Sequence, residues 1–477
     1  MGSRFSTIGS IAGATLAIFA ASLAGAEGCS SSDSSGLSGN AVDGGSGDAT
    51  LGPPGIDAGQ ADGGASLGED GAFAASDGGA FTGLSCAVKP CALALATGGD
   101  HVCALLDDHS VRCWGQNASG ELGSGALDGG LVVPSQTPTP TAVAGLSGLT
   151  LIAAGGYSRS FGTSCAGAAN SGVSCWGSNA NGGLGLSLSA DGSAPPEQSI
   201  APLPLALDSV VGVSLGGFFG CGLVMDGGVS CWGDNTQNEL GRGLDAGEFD
   251  PTPTPVPLVG AASAVATGKY HACALLRDHS VECWGATDHG QTGLLVDAGG
   301  ASPQKVPGLV ANALTAGEGS TCAITSMGGV SCWGGNQYGQ LGRGNSDASV
   351  AAVGIDPVPQ PVALPAGLGA VQIASAVGST CALLSDHSVW CWGDNAYGEL
   401  GTGSAVPGFS PRPAQVQGLT NIVQIASSPG GWTVCALLQE GSVRCWGSND
   451  SDQLGVDTSG DAGPDESPHP VPVRVLF

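Results

Sequence analysis

The chain has 477 residues, of which 85 are glycine and only 11% are charged. This composition is unlike that of a helical enzyme and is typical of many short strands joined by tight turns. The net charge of −28, with only 12 lysine and arginine residues, argues against a nucleic-acid partner, because phosphate binding needs clustered basic side chains.

The N-terminus resembles an export signal. Arg4 gives a short positive start, and an apolar run of small residues extends from Ile8 to Ala24. We therefore predict a signal peptide over residues 1–28. A retained membrane anchor is the alternative, because the apolar run approaches the length of a membrane span.

The segment Ala26-Glu27-Gly28-Cys29 resembles the lipobox of bacterial lipoproteins, in which the cysteine becomes the lipidated first residue. Glu27 departs from that pattern, which has a small residue there and usually a leucine three residues before the cysteine. A cut after Ala26 would instead leave Cys29 as a free thiol. Lipidation of Cys29 leaves 16 of the 17 cysteines, an even number that can pair fully. The resemblance implies a secreted protein anchored by its lipid to the bacterial outer membrane.

Residues 29–85 are rich in glycine, serine, alanine and aspartate, and almost lack aromatic side chains. Such a segment buries too little apolar surface to offset its conformational entropy. We predict a disordered, lipid-anchored linker that separates the following domain from the membrane.

A cysteine hairpin with nine intervening residues recurs seven times after residue 86, and Trp-Gly follows every second cysteine. The pairs are Cys103 and Cys113, Cys165 and Cys175, Cys221 and Cys231, Cys273 and Cys283, Cys322 and Cys332, Cys381 and Cys391, and Cys435 and Cys445. Successive second cysteines lie 49 to 62 residues apart, which is typical of propeller blades with loops of variable length.

Each repeat contains four short strand patterns, which predicts an all-β, seven-bladed propeller of four-stranded blades over residues 86–477. The C-terminal segment Pro470–Phe477 resembles Pro411–Val416, which opens the last complete repeat, and so looks like the start of an eighth repeat. We therefore expect the C-terminal strand to complete the first blade and to remove its free edge.

The two cysteines of each hairpin occupy directly opposed positions on neighbouring antiparallel strands, within disulfide range. Seventeen cysteines also favour an oxidising compartment, which makes seven disulfides the preferred interpretation and seven reduced, buried pairs the alternative. Cys86 and Cys91 are predicted to form a local clip at the start of the domain.

The repeats resemble those of the regulator of chromosome condensation family. Gly98-Gly99-Asp100-His101 and Gly268-Lys269-Tyr270-His271 carry the first part of that repeat, and the second part is carried by Trp333 to Gly342 and by Trp392 to Gly401. The resemblance implies a seven-bladed propeller and a hydrogen-bonding role between strands for His101 and His271. The fourth repeat departs most, with Thr287 and Thr292 at positions usually held by asparagine and leucine.

No residue pattern indicates catalysis, a cofactor or a metal site. Asp-His pairs at His109, His279 and His387 fall at hairpin turns, where histidine tolerates a positive φ angle. The seven repeated tryptophans are expected in the core. Trp390 and Trp432 lie outside the repeat pattern and are candidates for ligand contact.

The preferred function is an extracellular or cell-surface binding or scaffold module, expected to be a monomer. Its ligand would be a protein or polysaccharide of the cell envelope or surroundings, bound by variable loops on one face. These loops are residues 126–138, 187–201, 242–255, 343–358 and 402–411, which all follow the same strand of their repeats. A propeller hydrolase or lyase acting in the central channel is the alternative. Guanine nucleotide exchange is an activity of the family that the repeats resemble. It fits less well with an exported, strongly acidic protein.

Overall fold

The computed structural model describes residues 84–477 except 126–134, 158–160, 169–171, 187–194, 244–246, 295–299, 345–353 and 457–466. The predicted signal peptide, Cys29 and almost all of the predicted linker lie outside the described residues. Contacts with the domain begin before its predicted start at residue 86: Leu84 packs on the core, and the amide of Ser85 donates to the Gln439 carbonyl.

Seven four-stranded antiparallel sheets form the domain, which confirms the predicted seven-bladed all-β propeller. Blade 1 contains β1 (Ala92–Thr97), β2 (His101–Leu106), β3 (Val111–Gln116) and β4 (Gln136–Ala142). Blade 2 contains β5 (Leu151–Gly156), β6 (Gly162–Gly167), β7 (Val173–Ser178) and β8 (Gln198–Pro204), with a short 3₁₀ turn at Ala180–Gly182. Blade 3 contains β9 (Val210–Leu215), β10 (Phe219–Val224), β11 (Val229–Asp234) and β12 (Phe249–Pro255).

The remaining blades follow the same order of strands. Blade 4 contains β13 (Ala262–Thr267), β14 (His271–Leu276), β15 (Val281–Gly285) and β16 (Gln304–Lys305). Blade 5 contains β17 (Ala311–Ala316), β18 (Ser320–Thr325), β19 (Val330–Gly335) and β20 (Ile355–Pro361). Blade 6 contains β21 (Ala370–Ser375), β22 (Ser379–Leu384), β23 (Val389–Asp394) and β24 (Phe409–Gln415). Blade 7 contains β25 (Ile422–Ser427), β26 (Thr433–Leu438), β27 (Val443–Gly447) and β28 (His469–Arg474). The divergent fourth repeat keeps its fold but has the shortest outer strand, β16.

The prediction that the C-terminal strand completes the first blade is wrong. Strand β28 pairs with β27 and is the outer strand of blade 7, while blade 1 obtains all four strands from the N-terminal part of the domain. The proline-rich strand therefore ends each blade rather than beginning the next. Proline suits this outer position, because one edge of the strand makes no ladder hydrogen bonds.

Hydrogen bonds of side chains and of the main chain, rather than an exchanged strand, join blade 7 to blade 1; the amide of Ala92, in β1, donates to the Gly441 carbonyl at 3.0 Å. The side-chain oxygen of Gln424, in β25, accepts a bond from the Leu95 amide at 2.9 Å, and its amide nitrogen donates to the Leu95 carbonyl at 3.1 Å. Gln372 forms the same pair of bonds with Ile425 between blades 6 and 7, at 3.0 and 2.8 Å.

The hydrophobic core is divided into clusters that lie between neighbouring blades. The seven repeated tryptophans are fully buried in these clusters, and each indole Nε1 donates to a main-chain carbonyl of the preceding blade, at 2.7–3.0 Å. The glycine after each tryptophan has a φ angle between +99° and +107°, a region that side chains rarely adopt. This backbone requirement explains why Trp-Gly recurs in every blade.

Eight disulfides are present: the seven hairpin pairs expected from the spacing, and the predicted clip between Cys86 and Cys91. In each blade the two cysteines are directly opposed on the second and third strands, as in the register of Cys103 with Cys113. Their Cα atoms lie 4.0–4.1 Å apart, near the spacing of a non-hydrogen-bonded antiparallel pair. Eight disulfides indicate an oxidising environment.

Candidate functional site

The alternating strand directions give the propeller two distinct faces. Turns between the first and second strands and loops between the third and fourth strands emerge together, on what we call the loop face. Turns between the second and third strands and the connections between blades emerge on the opposite side, the hairpin face. All five predicted variable segments follow the third strand of a blade, so their described parts lie on the loop face; residues 126–134, 187–194, 244–246 and 345–353 lie outside the described residues.

A channel of about 80 Å³ runs along the axis and is lined by the first strand of each blade. Alanine, serine and threonine dominate its wall, with Gln372 and Gln424 as the largest polar side chains. Among the described residues that line it, none carries a carboxylate, imidazole, amine or guanidinium. The channel therefore offers small hydroxyl and amide groups rather than an acid–base pair.

The turn at residues 428–432 of blade 7 covers the loop-face end of this channel. It has five residues between its strands, whereas the equivalent turns of blades 1, 3, 4, 5 and 6 have three. Pro429 lines the channel, Gly430 lies against the Gly156 carbonyl of blade 2, and the Gly431 carbonyl accepts a bond from Val377 of blade 6. The sequence signal for this turn, two extra residues between β25 and β26, was missed.

A cluster of aromatic side chains surrounds Lys269 on the loop face of blades 2 to 4. The ammonium of Lys269 lies 3.5 Å from the ring centroid of Tyr157 and 4.9 Å from that of Tyr270. Burial of Lys269 lowers its pKa, but an ion pair with Glu318 outweighs burial and leaves the pKa above its ordinary value. Lys269 is therefore a charged, buried centre that holds the aromatic rings in place.

Phe218 extends this cluster into blade 3. Its ring centroid lies 5.3 Å from that of Phe161 and 6.4 Å from that of Tyr157, both with edge-on geometry. Such aromatic contacts add stability beyond the apolar area that they bury. The cluster is thus a rigid part of the surface.

A second set of rings lies on blades 4 to 7. His289 lies over Gly319 of the next blade, and Tyr338 lies over Gly378, where a Cβ atom would press against each ring. Tyr397 continues the pattern by packing on Trp432, with ring centroids 5.6 Å apart. Each ring rests on the first turn of the following blade, so this set follows the curve of the propeller.

The two faces differ in their aromatic content. Among the phenylalanine, tyrosine and tryptophan side chains that the structure describes, the five most exposed all lie on the loop face: Phe161, Phe249, Tyr338, Tyr397 and Phe409. All four tyrosines of the chain lie there as well. Tyrosine and other aromatic residues are enriched where proteins bind partners, because they bury a large area with few rotatable bonds.

The two tryptophans predicted as ligand contacts are not brought together. Trp432 lies on the loop face beside Tyr397. Trp390 lies near the start of β23, close to the hairpin face, where its Nε1 donates to Ser388 Oγ at 3.0 Å. Its ring packs against the core cluster between blades 5 and 6. Trp432 therefore fits a binding surface, whereas Trp390 contributes to packing.

His101 and His271 are fully buried and connect blades. The Nε2–H of His101 donates to Ser164 Oγ at 2.8 Å, since that hydroxyl itself donates to the Glu121 carbonyl. His271 makes the same contact with Thr321. Burial lowers the pKa of His101 to about 4 and that of His271 to about 3, so both rings are neutral near pH 7.

The three Asp-His pairs lie at hairpin turns, as predicted. His109, His279 and His387 have φ angles of 60°, 66° and 64°, and each Nδ1 donates to a carbonyl of the next blade. Within the described residues, no group of three or more histidine, cysteine, aspartate or glutamate side chains could hold a metal ion. In the same part of the chain, no helix is long and apolar enough to cross a membrane.

Three carboxyl groups are buried at equivalent positions of blades 1, 3 and 6: Glu121, Glu239 and Glu399. Each accepts a bond from the amide two residues earlier, as Gln291, Gln340 and Gln453 do in other blades. Burial raises the pKa of Glu239 to about 7 and that of Glu399 to about 8. The sequence showed the interchange of glutamate and glutamine, but not that the carboxyl group is buried.

Comparison with known proteins gives two family matches. The family model described as RCC1-like domain matches residues 172–476, and the model of the regulator of chromosome condensation (RCC1) repeat matches residues 93–121. The chain is 29% identical over 355 residues to the human E3 ubiquitin-protein ligase HERC2, which covers 73% of this chain but only 7% of HERC2. It is 26% identical to the ultraviolet-B receptor UVR8 of Arabidopsis thaliana, with 77% of this chain and 80% of UVR8 covered.

Solved structures show the same fold. The crystal structure of Prp20p from Saccharomyces cerevisiae, described with its binding properties to Gsp1p and histones, superposes with a TM-score of 0.64 and 24% identity, covering 79% of this chain and 86% of that chain. Human WBSCR16 superposes with a TM-score of 0.65 and 23% identity, covering 77% and 95%.

Proposed function

Because the chain belongs to the RCC1-like domain family, we propose that it is a secreted binding module that recognises a protein partner through its loop face. Propellers of this family are mostly binding or regulatory domains, and Prp20p is described with its binding to Gsp1p and histones. A partner bound at the loop face would meet the variable loops and the exposed aromatic rings together.

The observation that carries this proposal is that, in the part of the chain that the structure describes, every exposed phenylalanine and tyrosine lies on one face. Tyr338, Tyr397 and Trp432 follow the curve of blades 5 to 7, and the cluster around Lys269 extends the surface over blades 2 to 4. Rigid aromatic side chains that are partly exposed supply contact area at low entropic cost.

Two other functions receive less support. A hydrolase or lyase acting in the channel would need ionisable side chains there, and the described lining offers none. Nucleotide exchange on a nuclear GTPase fits poorly with eight disulfides and a net charge of −28.

For its location, we propose export followed by lipidation at Cys29. The chain enters the propeller on the hairpin face, where the amide of Val88 donates to the Glu440 carbonyl and Lys89 pairs with Asp107. The first described residues therefore lie on the side opposite the proposed binding face. Palmitate labelling of the expressed protein should mark Cys29; alkylation of Cys29 in the unreduced protein would instead identify a free thiol and contradict the anchor.

The binding face is tested with two matched triple variants of the full chain. The loop-face variant carries Tyr338→Ser, Tyr397→Ser and Trp432→Ser. The control carries Met225→Ser, Val259→Ser and Met327→Ser, which remove exposed apolar side chains from the hairpin face. Each protein is immobilised and exposed to cell-envelope extract with and without protease treatment.

We expect the wild type and the control to capture the same partner. The affinity of the loop-face variant for that partner should fall at least about tenfold, because a few aromatic residues contribute most of the binding energy at such interfaces. Retention of that partner by the loop-face variant would contradict the proposed face. A partner that survives protease treatment but not periodate oxidation would be a polysaccharide and would contradict the proposed protein ligand.

A further inference from the structure

A pocket of about 440 Å³ opens on the loop face where blades 2, 3 and 4 meet. Phe218 and Tyr270 form aromatic walls, Asp234 and Asp288 contribute carboxylates, and Asn181 and Gln237 lie at the margin. The pocket thus combines flat apolar surfaces with negative charge, which none of the assigned structural roles explains.

The aromatic walls are fixed by their neighbours. Phe218 packs edge-on against Phe161 and Tyr157, while Tyr270 lies 4.9 Å from the buried ammonium of Lys269. These contacts hold both rings without a ligand, so binding would order few side chains. Preorganisation of this kind favours affinity.

The two carboxylates are also held in place. Asp234 accepts bonds from the amide and the hydroxyl of Thr236, at 3.2 and 3.1 Å. Asp288 accepts a 2.9 Å bond from the Gln291 side chain. Partial burial raises the pKa of Asp288, but Gln291 and the neighbouring His289 outweigh burial, so its pKa lies below the ordinary value and the group is ionised near pH 7.

Nearby positive groups do not neutralise this charge. Lys269 forms an ion pair with Glu318 and lies against Tyr157. On the described part of the loop face, Arg242 and Arg343 are paired with Asp250 and Asp356. His289 Nδ1 lies 3.1 Å from Asp288 Oδ2, but a single imidazole cannot neutralise both Asp234 and Asp288, so the pocket retains negative charge.

We propose that this pocket binds a basic side chain, arginine above all, presented by the protein partner. A guanidinium group is planar, so it stacks on aromatic rings while its N–H groups donate to carboxylates. Both kinds of contact meet in this pocket, between Phe218 and Tyr270 on one hand and Asp234 and Asp288 on the other. This inference rests on the proposed function and adds the chemistry by which the loop face selects its partner.

The first experiment uses a small probe in place of the partner. The full chain is titrated with the peptide acetyl-Gly-Arg-Gly-amide, and binding is followed by saturation-transfer NMR. The matched probe contains citrulline, which has the shape of arginine without its charge. We expect saturable binding of the arginine peptide only, and equal signals from both peptides would overturn the inference.

Variants then locate the binding. The double variant Asp234→Asn, Asp288→Asn should bind the arginine peptide with about tenfold lower affinity, because charge-assisted hydrogen bonds are lost. The control pair, Asp226→Asn with Asp386→Asn, makes the same change of net charge on the hairpin face and should bind like the wild type. Equal weakening in both pairs would indicate general electrostatics and overturn the inference. Tyr270→Leu removes the stacking surface but keeps every carboxylate, and it should also lower the affinity for the arginine peptide. If the double variant unfolds, Tyr270→Leu is the test of the pocket, and wild-type affinity in this variant would overturn the inference.

The partner-capture experiment separates the two proposals. If the loop-face triple variant loses the partner while the Asp234→Asn, Asp288→Asn protein keeps full affinity for it, the proposed function stands and the basic-side-chain pocket is wrong. If the loop-face variant captures the partner as the wild type does, the proposed function is wrong whatever the peptide result.

Discussion

The indole Nε1 of Trp114, in the first blade, donates a 3.0 Å hydrogen bond to the main-chain carbonyl of Gln453, in the seventh. Six other tryptophans make the same bond to the blade before them, so this contact completes a ring of seven. Among the described strands, none is exchanged between the first and last blades. Closure therefore depends on contacts at one seam: the side chains of Trp114 and Gln424, and the main-chain bonds that residues 85–92 make with the last hairpin of blade 7.

Replacing Trp114 by phenylalanine tests this seam. The variant leaves the Gln453 carbonyl without its donor and creates a cavity, so the free energy of unfolding should fall by about 2–4 kcal/mol. Urea unfolding followed by circular dichroism measures the change. Trp390→Phe is the control, because Trp390 is half-buried and donates only to Ser388, and it should cost under about 1 kcal/mol. Equal losses in the two variants would contradict a special role for the seam.

The buried carboxyl groups predict a pH dependence. The pKa of Glu399 is about 8 and that of Glu239 about 7 in the folded protein, above the ordinary value of 4.5. The folded state therefore holds protons that the unfolded state releases. This stabilisation is fully present below pH 4.5 and is lost as pH rises to about 8, with a slope of at most about 1.4 kcal/mol per pH unit for each group.

Glu399→Gln should remove the contribution of that group, since glutamine occupies the same position in blades 4, 5 and 7. The variant should match the wild type in unfolding free energy at pH 4.5 and exceed it at pH 9. Glu248→Gln, at an exposed site, should match the wild type at both values. If the difference in unfolding free energy between the wild type and Glu399→Gln stays constant from pH 5 to pH 8, the pKa of Glu399 is not raised.

Burial predicts the order in which the disulfides react. Each blade cysteine has 1% or less of its surface exposed, whereas Cys86 of the clip is only half-buried. Mild reduction of the folded protein followed by alkylation should therefore label Cys86 and Cys91 first, because the attacking thiolate must reach a sulfur atom. Peptide mapping by mass spectrometry identifies the sites. In urea all sixteen should react, and early labelling of Cys103 or Cys113 without urea would show that the blades open.

The sequence predicted the features that depend on spacing along one hairpin. Nine residues between cysteines determine the register of the second and third strands, so the disulfide of Cys103 with Cys113 and the burial of Trp114 followed directly. The proline-rich strand was assigned to the wrong blade. It follows a loop of variable length, so its distance along the sequence from the other strands does not show which of them it pairs with. The final strand, β28, was misplaced for this reason.

The candidate site was less accessible to sequence reasoning. Trp390 and Trp432 looked alike as departures from the repeat, but one lies on a strand and the other in a turn, which places them near opposite faces. The pocket between Phe218 and Tyr270 joins residues that are 52 positions apart in sequence and come from different blades. Only the packing of blades around the axis brings such residues together.

The turn over the channel gives the last prediction. A Cβ atom on Gly430 would overlap the Gly156 carbonyl, which belongs to the backbone of blade 2 and cannot move aside easily. Gly430→Ala should therefore displace residues 428–432 and lower the midpoint of thermal unfolding by several degrees, since overpacking costs about 1–3 kcal/mol. The tryptophan emission of the protein should shift to longer wavelength as the contact of Trp432 with Tyr397 loosens. Gly408→Ala is the control, because nothing lies within contact of its Cβ position and its φ angle is not positive, and it should leave both signals unchanged. A Gly430→Ala protein with the wild-type midpoint and emission would show that the turn does not rest on blade 2.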